Sequence, residues 1–234
     1  MTAAWQEIVE CVGSRCTPAG FDLVQPFCVH WYHDAVDASY RLPDFGRANT
    51  LGVLIAHTRA LWVPFRAAAR ADRSLHDDPN PLDRYCVASI RAALQSLPLR
   101  CEARWAHDAP PRRVAMQRLG HVSGLAHLSS SFLNIHPVYG PWIALRAALV
   151  VDADGPLGPP PDPRNPCPDC AHACAPHFER AVAALAARGL DRPGLGETWR
   201  LWLAVRDACP VGREHRYSDE QIAYHYRNDR TVLG

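Results

Sequence analysis

The sequence predicts an α+β fold in which helices pack on a mostly antiparallel sheet. Apolar residues recur at helical spacing in some segments, whereas in others they alternate or form short unbroken runs, as in strands. The two kinds of segment do not alternate regularly, and the short glycine loops of a doubly wound parallel sheet are missing. With 234 residues, 48% of them hydrophobic, the chain is long enough for one domain with a sizeable core.

The first part of the chain mixes both patterns. Trp5, Ile8, Val9 and Val12 lie at helical spacing. The predicted elements are a helix over 3–16, a hairpin-like pair of strands over 21–24 and 27–31, a buried strand over 51–56 and a helix over 58–69.

The middle part contains the clearest single signals. Asn80 and Pro81 begin a helix, because asparagine caps helices and proline fits their first turn. Alternation predicts a half-solvated strand over 99–105. A helix over 113–128 and a strand over 142–151 follow, and the strand is apolar except for Arg146.

A proline-rich stretch separates the last part of the chain. Residues 155–166 contain six of the 21 prolines, which indicates a linker or a surface crossing. We therefore expect a core over 1–154, a linker over 155–166 and a C-terminal helical cap over 167–234 that completes the same domain. The predicted helices of the cap are 176–188, 197–205 and one that begins at Ser218.

Composition narrows the class of protein. The formal net charge of +1 gives no broad field for nucleic acid or acidic lipid, and no apolar run is long enough to span a bilayer. The N-terminus lacks the basic start and apolar run of a signal peptide. The nine cysteines are an odd number, and several lie inside apolar patterns. We expect a cytoplasmic protein with reduced thiols that binds neither nucleic acid nor membrane.

Several common activities are not indicated. The sequence has no glycine-rich dinucleotide or P-loop motif, no nucleophile-elbow G-x-S-x-G and no zincin H-E-x-x-H. Three other features carry chemistry.

The first feature is the segment from Gly120 to Gly124, with His121 between its glycines. Small residues four apart let a backbone or a flat ligand approach closely, and the histidine can bind a metal, a ligand or a proton. The alternative is a helix packed tightly on the sheet with a satisfied core histidine, and the segment alone favours it. The cobalamin motif D-x-H-x-x-G is not present, because Leu119 stands where its aspartate belongs.

The second feature is Arg146, which interrupts an apolar strand. A buried guanidinium requires an anion. That anion is either an internal carboxylate, such as Asp207 or Glu220, or a ligand carboxylate or phosphate. Arg206 and Arg230 are candidates for the same anion pocket.

The third feature is a group of cysteines that follows the linker, with His172 and His177 as spare ligands. Four thiolates can hold zinc or an iron–sulfur cluster, and the alternative is loop cysteines without a metal. The four candidate ligands are Cys167, Cys170, Cys174 and Cys209.

The order and spacing of several blocks resemble the cblC-type cobalamin-processing family over nearly the whole chain. The most specific are the isoleucine–histidine–proline block that ends at Arg146 and the Arg-Tyr-Ser-x-Glu-Gln block. The matching blocks are Phe21-Asp22-Leu23 with Pro26-Phe27-x-Val29-x-Trp31-Tyr32; Arg112-Arg113; Gly120-His121-Val122-x-Gly124; Ile135-His136-Pro137-x-Tyr139-Gly140-x-Trp142-x-Ala144-x-Arg146; Arg206-Asp207-Ala208; and Arg216-Tyr217-Ser218-x-Glu220-Gln221-x-Ala223-Tyr224.

The resemblance implies a flavin-reductase/nitroreductase-like fold that binds cobalamin in its base-off form and removes the upper axial ligand. Reduced flavin, FMN or FAD, would release cyanide from cyanocobalamin, and glutathione would take the alkyl group of an alkylcobalamin. A downstream cobalamin-accepting protein would receive the product, and the chain would act as a monomer or homodimer. The implied cobalamin contacts are His121, Gly120, Gly124, Trp142 and His136. The implied glutathione contacts are Arg146, Arg206 and Arg230, with Arg227 competing for the third position.

Two other functions stay open beside this enzyme. One is a non-catalytic carrier of cobalamin or another corrinoid. The other is a flavin- or iron–sulfur-dependent reductase of a different substrate on the same fold. The cysteine segment is additional to the family pattern, so it is the feature that most favours the second alternative.

Overall fold

The structure is a computed structural model that describes residues 5–95, 97–187 and 198–234. The helices are α1 (Trp5–Cys16), α2 (Val29–His33), α3 (Trp62–Ala71), α4 (Arg73–His76), α5 (Pro81–Leu94), α6 (Met116–Val122), α7 (Ala175–Ala186), α8 (Trp199–Asp207) and α9 (Asp219–Arg227). The strands are β1 (Leu23–Cys28), β2 (Thr50–His57), β3 (Cys101–Trp105), β4 (His127–Leu128), β5 (Asn134–Ile135) and β6 (Ala144–Asp154).

A four-stranded sheet in the order β1-β2-β6-β3 forms the centre of the fold, and every neighbouring pair in it is antiparallel. All eight residues of β2 are buried. Its unbroken apolar sequence follows from this position, because a strand covered on both faces has no solvent side. A separate two-stranded ribbon pairs β4 with β5. The predicted α+β class with an antiparallel sheet is confirmed.

Successive residues of β2 enter different cores. Val53 and Ile55 belong to one hydrophobic cluster, which also contains apolar residues of α1, α3 and α5. Leu54 and Ala56 belong to a second cluster with residues of α2 and α6. This alternation follows from the two-residue period of a strand. Helices therefore cover both faces of the sheet.

Several predicted elements are confirmed. Helix α1 and strand β2 lie where the apolar patterns predict them, and α5 begins at Pro81, with Asn80 in the capping position. Strand β3 lies within the predicted range 99–105, and its Trp105 belongs to the hydrophobic cluster that contains residues of α1, α3 and α5. The helix predicted over 58–69 is present as a short 3-10 turn followed by α3.

The predicted strand pair at 21–24 and 27–31 is wrong. One strand, β1, runs through Gln25 and Pro26, and the chain then turns into α2. Proline has no N–H for a ladder and is tolerated at a sheet edge, which is where β1 lies. Pairing of β1 with β2, from Leu23 to Cys28, decides the outcome, and local sequence does not show it.

The helix predicted over 113–128 is shorter than expected, because α6 ends at Val122. Gly124 has φ +80°, and its N–H donates to the carbonyl of His121 at 2.9 Å. A glycine in this left-handed conformation ends a helix. The next strand is also offset from its prediction: β6 starts at Ala144, and Trp142 lies in the preceding turn, where its N–H donates to the carbonyl of Tyr139 at 3.0 Å.

Residues 155–166 contain no helix or strand and cross the surface of the core. Trp31 Nε1 donates to the carbonyl of Gly158 at 3.0 Å, and Pro161 lies against Gly124. Beyond this stretch, α7, α8 and α9 occupy the predicted helical segments; predicted positions 3, 4, 188 and 197 lie outside the described residues. The three domain boundaries themselves stay a prediction.

The last helices pack on the turn before β6. Trp142, Leu203, Tyr217, Ile222 and Tyr226 form one hydrophobic cluster that joins this turn to α8 and α9. Ser218 begins α9 with a capping box, which fixes where that helix starts. Across the described ranges, no helix is long and apolar enough to cross a membrane.

Candidate functional site

A cavity of about 280 Å³ opens between β6, α8 and α9. Its walls combine two arginines with aromatic side chains. The lining residues are Ser131, Leu133, Ala144, Arg146, Phe178, Trp202, Val205, Arg206, Tyr217, His225 and Tyr226. A second cavity of about 270 Å³ shares Leu133, Ala144 and Arg206 with the first, so the two are adjacent.

Arg146 enters the cavity from β6, and its side chain is 15% exposed. Its Nε donates to Nε2 of His57 at 2.9 Å, and its Nη1 lies 3.6 Å from Oδ1 of Asp83. The contact with Asp83 is longer than a hydrogen bond. Most of the hydrogen-bonding capacity of this guanidinium therefore remains for a ligand.

Neither of the two carboxylates that the sequence offered as internal partners of Arg146, Asp207 and Glu220, pairs with it. Asp207 accepts from Arg216 Nε at 2.8 Å, and Glu220 pairs with Arg66. Asp207 lies on α8 and Glu220 lies on α9, and each forms an ion pair with an arginine that the sequence did not indicate as its partner. Asp83, on α5, was not among the expected partners, because only the sheet brings α5 beside β6.

Two histidines, His57 and His225, lie close to the arginines. His57 Nδ1 donates to the carbonyl of Thr58 at 2.6 Å, so its Nε2 is free to accept from Arg146. Burial lowers the pKa of His57 well below its ordinary value, and Arg146 lowers it further. Burial, then Arg146 and Arg206, lower the pKa of His225 to about 3. Both rings are neutral near pH 7.

Arg206 is the least satisfied charge in this cavity. It is partly buried, and within the described residues no carboxylate lies within 4.0 Å of its nitrogens. Its guanidinium instead lies 5.9 Å from the ring centroid of Trp142 and 5.8 Å from that of Tyr217. Such contacts give about 0.5–2 kcal/mol, well below the desolvation penalty of a buried ion.

Two further donors in the cavity have no acceptor. Trp202 Nε1 and the Tyr217 hydroxyl are buried without a hydrogen-bond partner among the described residues. Each such group costs about 1–3 kcal/mol. Two guanidiniums and two neutral donors therefore converge where the described residues supply only the distant Asp83 carboxylate, beside Arg146. This arrangement can bind a carboxylate or a comparable anion.

Arg230 does not join this cavity. Its Nη1 donates to the carbonyl of Asp78 at 2.8 Å, and its Nη2 donates to the carbonyl of Pro79. Arg227 pairs with Asp229 at 3.2 Å and does not line the cavity either. Of the three arginines expected to converge, the structure brings two together.

The segment around His121 packs as the structural alternative predicts. A Cβ added to Gly120 would lie 3.0 Å from the Asn134 side chain, and one added to Gly124 would lie 2.5 Å from Pro161. Protein atoms thus occupy the space beside both glycines. His121 keeps a partly exposed ring, and its Nδ1 accepts from the N–H of Leu128 at 3.3 Å.

His136 and Trp142 lie in the turns before β6. His136 Nδ1 accepts from the N–H groups of Val138 and Tyr139 at 3.1 and 3.2 Å, so it holds the turn in shape. Trp142 is 1% exposed and lies beneath Arg206. Neither residue lines the cavity itself, although Trp142 contacts Arg206, which does.

The four cysteines gather near one another as free thiols. Cys167, Cys174 and Cys209 are buried, and Cys170 is partly exposed. Burial, followed by the three other thiols, raises the pKa of the Cys167 thiol to about 11. Among the described residues, however, no three of these sulfurs lie within 4.8 Å of one another. The spare ligand His177 contacts Arg180 instead, with 2.9 Å between Nδ1 and Nη2.

Sequence reasoning did not single out His225, Trp202 and Tyr217 in the cavity wall, nor His57 beside Arg146. His57 and His225 lie in apolar patterns that resemble core segments, and Trp202 and Tyr217 have ordinary aromatic neighbours. The only available signal was their polar atoms in otherwise apolar stretches. That signal does not show whether a partner exists, which is decided by the packing of α8 and α9 on β6.

Known proteins resemble this chain in sequence and in fold. No family model matches the chain. The chain is 30% identical to the cyanocobalamin reductase / alkylcobalamin dealkylase of Danio rerio over 246 residues, which cover 94% of this chain and 88% of that protein. It is 28% identical to the Homo sapiens protein of the same name over 237 residues, which cover 93% and 77%.

A solved structure shares the fold. The B12-trafficking protein CblC of C. elegans, a human MMACHC homologue, superposes with a TM-score of 0.68 at 19% identity, covering 98% of this chain and 95% of that one. The predicted fold class and the predicted family are both confirmed. The chain belongs to the cyanocobalamin reductase / alkylcobalamin dealkylase family.

Proposed function

We propose that this chain is a cobalamin-processing enzyme that removes the upper axial ligand of base-off cobalamin. It would release cyanide from cyanocobalamin by reduction and transfer the alkyl group of alkylcobalamins to glutathione. Family membership supports the substrate class. The observation that carries the glutathione half is a cavity in which, among the described residues, Tyr217 and Trp202 have no hydrogen-bond partner and Arg206 faces no carboxylate.

Glutathione fits the cavity by charge. It carries two carboxylates, and Arg146 and Arg206 offer two guanidiniums, one of them without a carboxylate partner among the described residues. A guanidinium can bind a carboxylate through two parallel hydrogen bonds. Anchoring the peptide by its carboxylates would hold its sulfur near the alkyl carbon, and such proximity supplies much of the rate.

In the dealkylation step, the glutathione thiolate attacks the alkyl carbon and forms a C–S bond. The cobalt–carbon bond breaks, and its electron pair stays on cobalt. The products are the alkyl thioether and cob(I)alamin. This step needs no thiol of the protein, in agreement with a cavity lined by arginines and aromatic residues.

The corrin ring is larger than the cavity of about 280 Å³, so we propose that it lies across the opening. His121, with its partly exposed ring, is the proposed direct contact. Gly120, Gly124, His136 and Trp142 would support the surface on which the ring rests. Rejection of the lower base would make cobalt easier to reduce, because binding energy offsets the lost coordination.

Reduced FMN or FAD is the proposed electron source for decyanation, in which cobalt is reduced and cyanide leaves. We propose a cytoplasmic setting, because glutathione and free thiols coexist there and all nine cysteines are free. A downstream cobalamin-accepting protein would take the reduced product.

An absorbance titration with methylcobalamin tests the first half of the proposal. We expect saturating protein to convert the base-on spectrum to the base-off spectrum, and added glutathione to produce cob(I)alamin anaerobically. Base-off binding without turnover of either methylcobalamin or cyanocobalamin would favour a carrier. An unchanged spectrum would exclude both functions.

Two lysine variants test the arginine site. We expect Arg146→Lys and Arg206→Lys to lower glutathione-dependent demethylation by about 1.5–3 kcal/mol each, roughly ten- to hundredfold, as for a charge-assisted hydrogen bond. Methylcobalamin affinity should change little. Arg230→Lys is the matched control, since its guanidinium binds backbone carbonyls outside the cavity.

The same variants separate a ligand site from a structural role. If Arg146 serves only to hold His57 and Asp83, Arg146→Lys should lower the melting temperature and cobalamin affinity together with activity. If both cavity variants keep the wild-type dependence on glutathione, the glutathione assignment is wrong.

We also propose that Cys167, Cys170, Cys174 and Cys209 bind a metal. Their proximity supports this, and binding would require the sulfurs to move to about 2.3 Å from one Zn²⁺. Metal analysis of anaerobically purified protein should find zinc, or iron if a cluster forms. A Cys170→Ser variant should lose that metal, whereas Cys11→Ser, a partly exposed cysteine of α1, should retain it. Absence of both metals from the wild type would contradict the proposal.

A further inference from the structure

A second polar cluster lies apart from the arginine cavity and from the four cysteines. It consists of His30 and His33 on α2 and Asp44 in the loop that leads to β2. None of the three residues lines the arginine cavity. In the described part of the chain, this is the one set of three or more histidine, cysteine or carboxylate side chains whose donor atoms all lie within 4.8 Å of one another.

Helical spacing brings the two histidines together. His30 and His33 are three residues apart, so their side chains project from the same side of α2. Their ring centroids are 5.4 Å apart, with the planes inclined at 57°. Asp44 reaches them only because the chain folds back after α2, so sequence spacing gives no sign of the third member.

Two of the three side chains, those of His33 and Asp44, are already oriented by the protein. His33 Nε2 lies 2.9 Å from the carbonyl oxygen of Leu42, which can only accept, so this nitrogen carries the proton and Nδ1 has the free lone pair. Asp44 Oδ1 accepts from the N–H of Gly46 at 2.9 Å. Such outer contacts fix the direction of metal ligands.

His30 supplies the sign that something is missing. Its Nδ1 is buried and has no hydrogen-bond partner in the part of the chain that the structure describes. A buried unsatisfied nitrogen costs about 1–3 kcal/mol, and no neighbouring protein atom compensates it here. His33 is also buried, and burial lowers its pKa, so its ring is neutral and able to act as a ligand near pH 7. Arg41 acts on the same ring as a competing cation.

We propose that His30, His33 and Asp44 form a binding site for a first-row divalent cation of the Zn²⁺ type. Two imidazoles and one carboxylate are ligands that such ions prefer, and hard ions such as Mg²⁺ favour oxygen donors instead. Three protein ligands leave one position for water. The bound ion would tie the loop at Leu42 and Asp44 to α2, and it would give the His30 nitrogen its partner.

Cobalt(II) titration of the metal-free protein provides the test, because its visible absorption reports the ligands. We expect the wild type to bind one equivalent of cobalt(II) more than Asp44→Asn. Any cobalt(II) that the four cysteines bind is the same in both proteins and cancels in the comparison. The wild type minus variant spectrum should show d–d bands without a thiolate charge-transfer band. Asp44→Asn is preferred because the asparagine oxygen can still accept from Gly46 and preserve the loop.

His30→Ala serves as the second variant and should weaken binding of this equivalent at least about tenfold, as loss of even an outer contact can. His76→Ala is the matched control, because His76 is an exposed histidine beside Asp77, with 2.9 Å between Nδ1 and Oδ1. Circular dichroism establishes that each variant is folded. The proposal is overturned if Asp44→Asn and His30→Ala bind as many equivalents as the wild type with the same affinity, or if His76→Ala loses the same equivalent.

Discussion

At the scale of single residues, polar atoms without partners mark the site. Trp202 Nε1 and the Tyr217 hydroxyl are buried without a hydrogen-bond partner in the described residues, and the nearby Arg206 faces no carboxylate there. A fold selected only for stability would not keep several such atoms in one place, because each costs about 1–3 kcal/mol. Their convergence therefore indicates that a ligand completes the hydrogen bonds.

Tyr217→Phe tests this interpretation. Removing the hydroxyl deletes an unsatisfied buried group, so we expect the free energy of unfolding to stay equal or to rise, while the KM for glutathione increases severalfold. Tyr85→Phe is the control, because its hydroxyl donates to the carbonyl of Ala19 at 2.9 Å. That variant should lose about 1 kcal/mol of stability and keep the wild-type KM. A stability loss in Tyr217→Phe without a change in KM would contradict the ligand role.

The buried histidines give a pH dependence of stability. The pKa of His225 is about 3 in the folded chain and ~6.5 when unfolded, so between these values the unfolded state holds one more proton. Stability from this group is complete above pH ~6.5 and is lost as pH falls, at about 1.4 kcal/mol per pH unit. The pKa of His57 is also lowered in the folded chain, so this histidine likewise reduces stability as the pH falls.

Urea unfolding at several values between pH 4 and pH 6.5 measures this slope. We expect His225→Gln to reduce it by about 1.4 kcal/mol per pH unit, since glutamine does not titrate in this range. The same slope in both proteins would show that His225 does not stay neutral in the folded chain.

At the scale of elements, the end of α6 and the proline-rich crossing depend on each other. Gly124 and Gly158 both have positive φ, of 80° and 92°. A Cβ at Gly124 would meet Pro161 at 2.5 Å, whereas one at Gly158 would meet nothing within 4 Å. The two positions therefore separate backbone strain from packing.

Substitution by alanine at each position measures the cost of backbone strain and the cost of lost packing space. We expect Gly158→Ala to cost about 1–2 kcal/mol, which is the left-handed strain alone. Gly124→Ala should cost about 1–3 kcal/mol more, because Pro161 must move. Thermal unfolding of both variants is the measurement, and equal losses would indicate that the crossing is not packed on α6 in solution.

The elements also show how far local patterns predict structure. Helix α5 and strand β2 were predictable because their apolar periods are long and their ends carry clear signals, such as Pro81. Strand β1 was not, because Gln25 and Pro26 look like a turn and only pairing with β2 makes them a strand. Similarly, α6 ends early because Gly124 turns left-handed, a choice that sequence leaves open.

At the scale of the whole molecule, the C-terminal helices share a core with the sheet. Trp142 before β6 packs with Leu203 of α8 and with Tyr226 of α9. Arg146 of β6 and Arg206 of α8 line one cavity. The site therefore exists only when both parts of the chain are folded together.

This arrangement predicts one cooperative unfolding transition. Tryptophan fluorescence reports both parts of the chain, because Trp62 and Trp105 lie in the core and Trp199 and Trp202 lie on α8. We expect it to change at the same urea concentration as the circular dichroism of the helices. Separate transitions for the two probes would instead show that the cap over 167–234 folds by itself, which would change the predicted domain division.

The sequence alone determined the fold class and the family, because apolar periodicity and the order of specific blocks can be recognised in the sequence itself. It also predicted that Arg146 and Arg206 lie together, and both line one cavity. The tertiary structure alone decided that Arg230 lies elsewhere, bound to the carbonyls of Asp78 and Pro79. It also brought Asp44 to His30 and His33. The reason is physical: periodicity reports which side of an element is buried, whereas a site depends on which elements meet and on which polar atoms remain unpaired when they do.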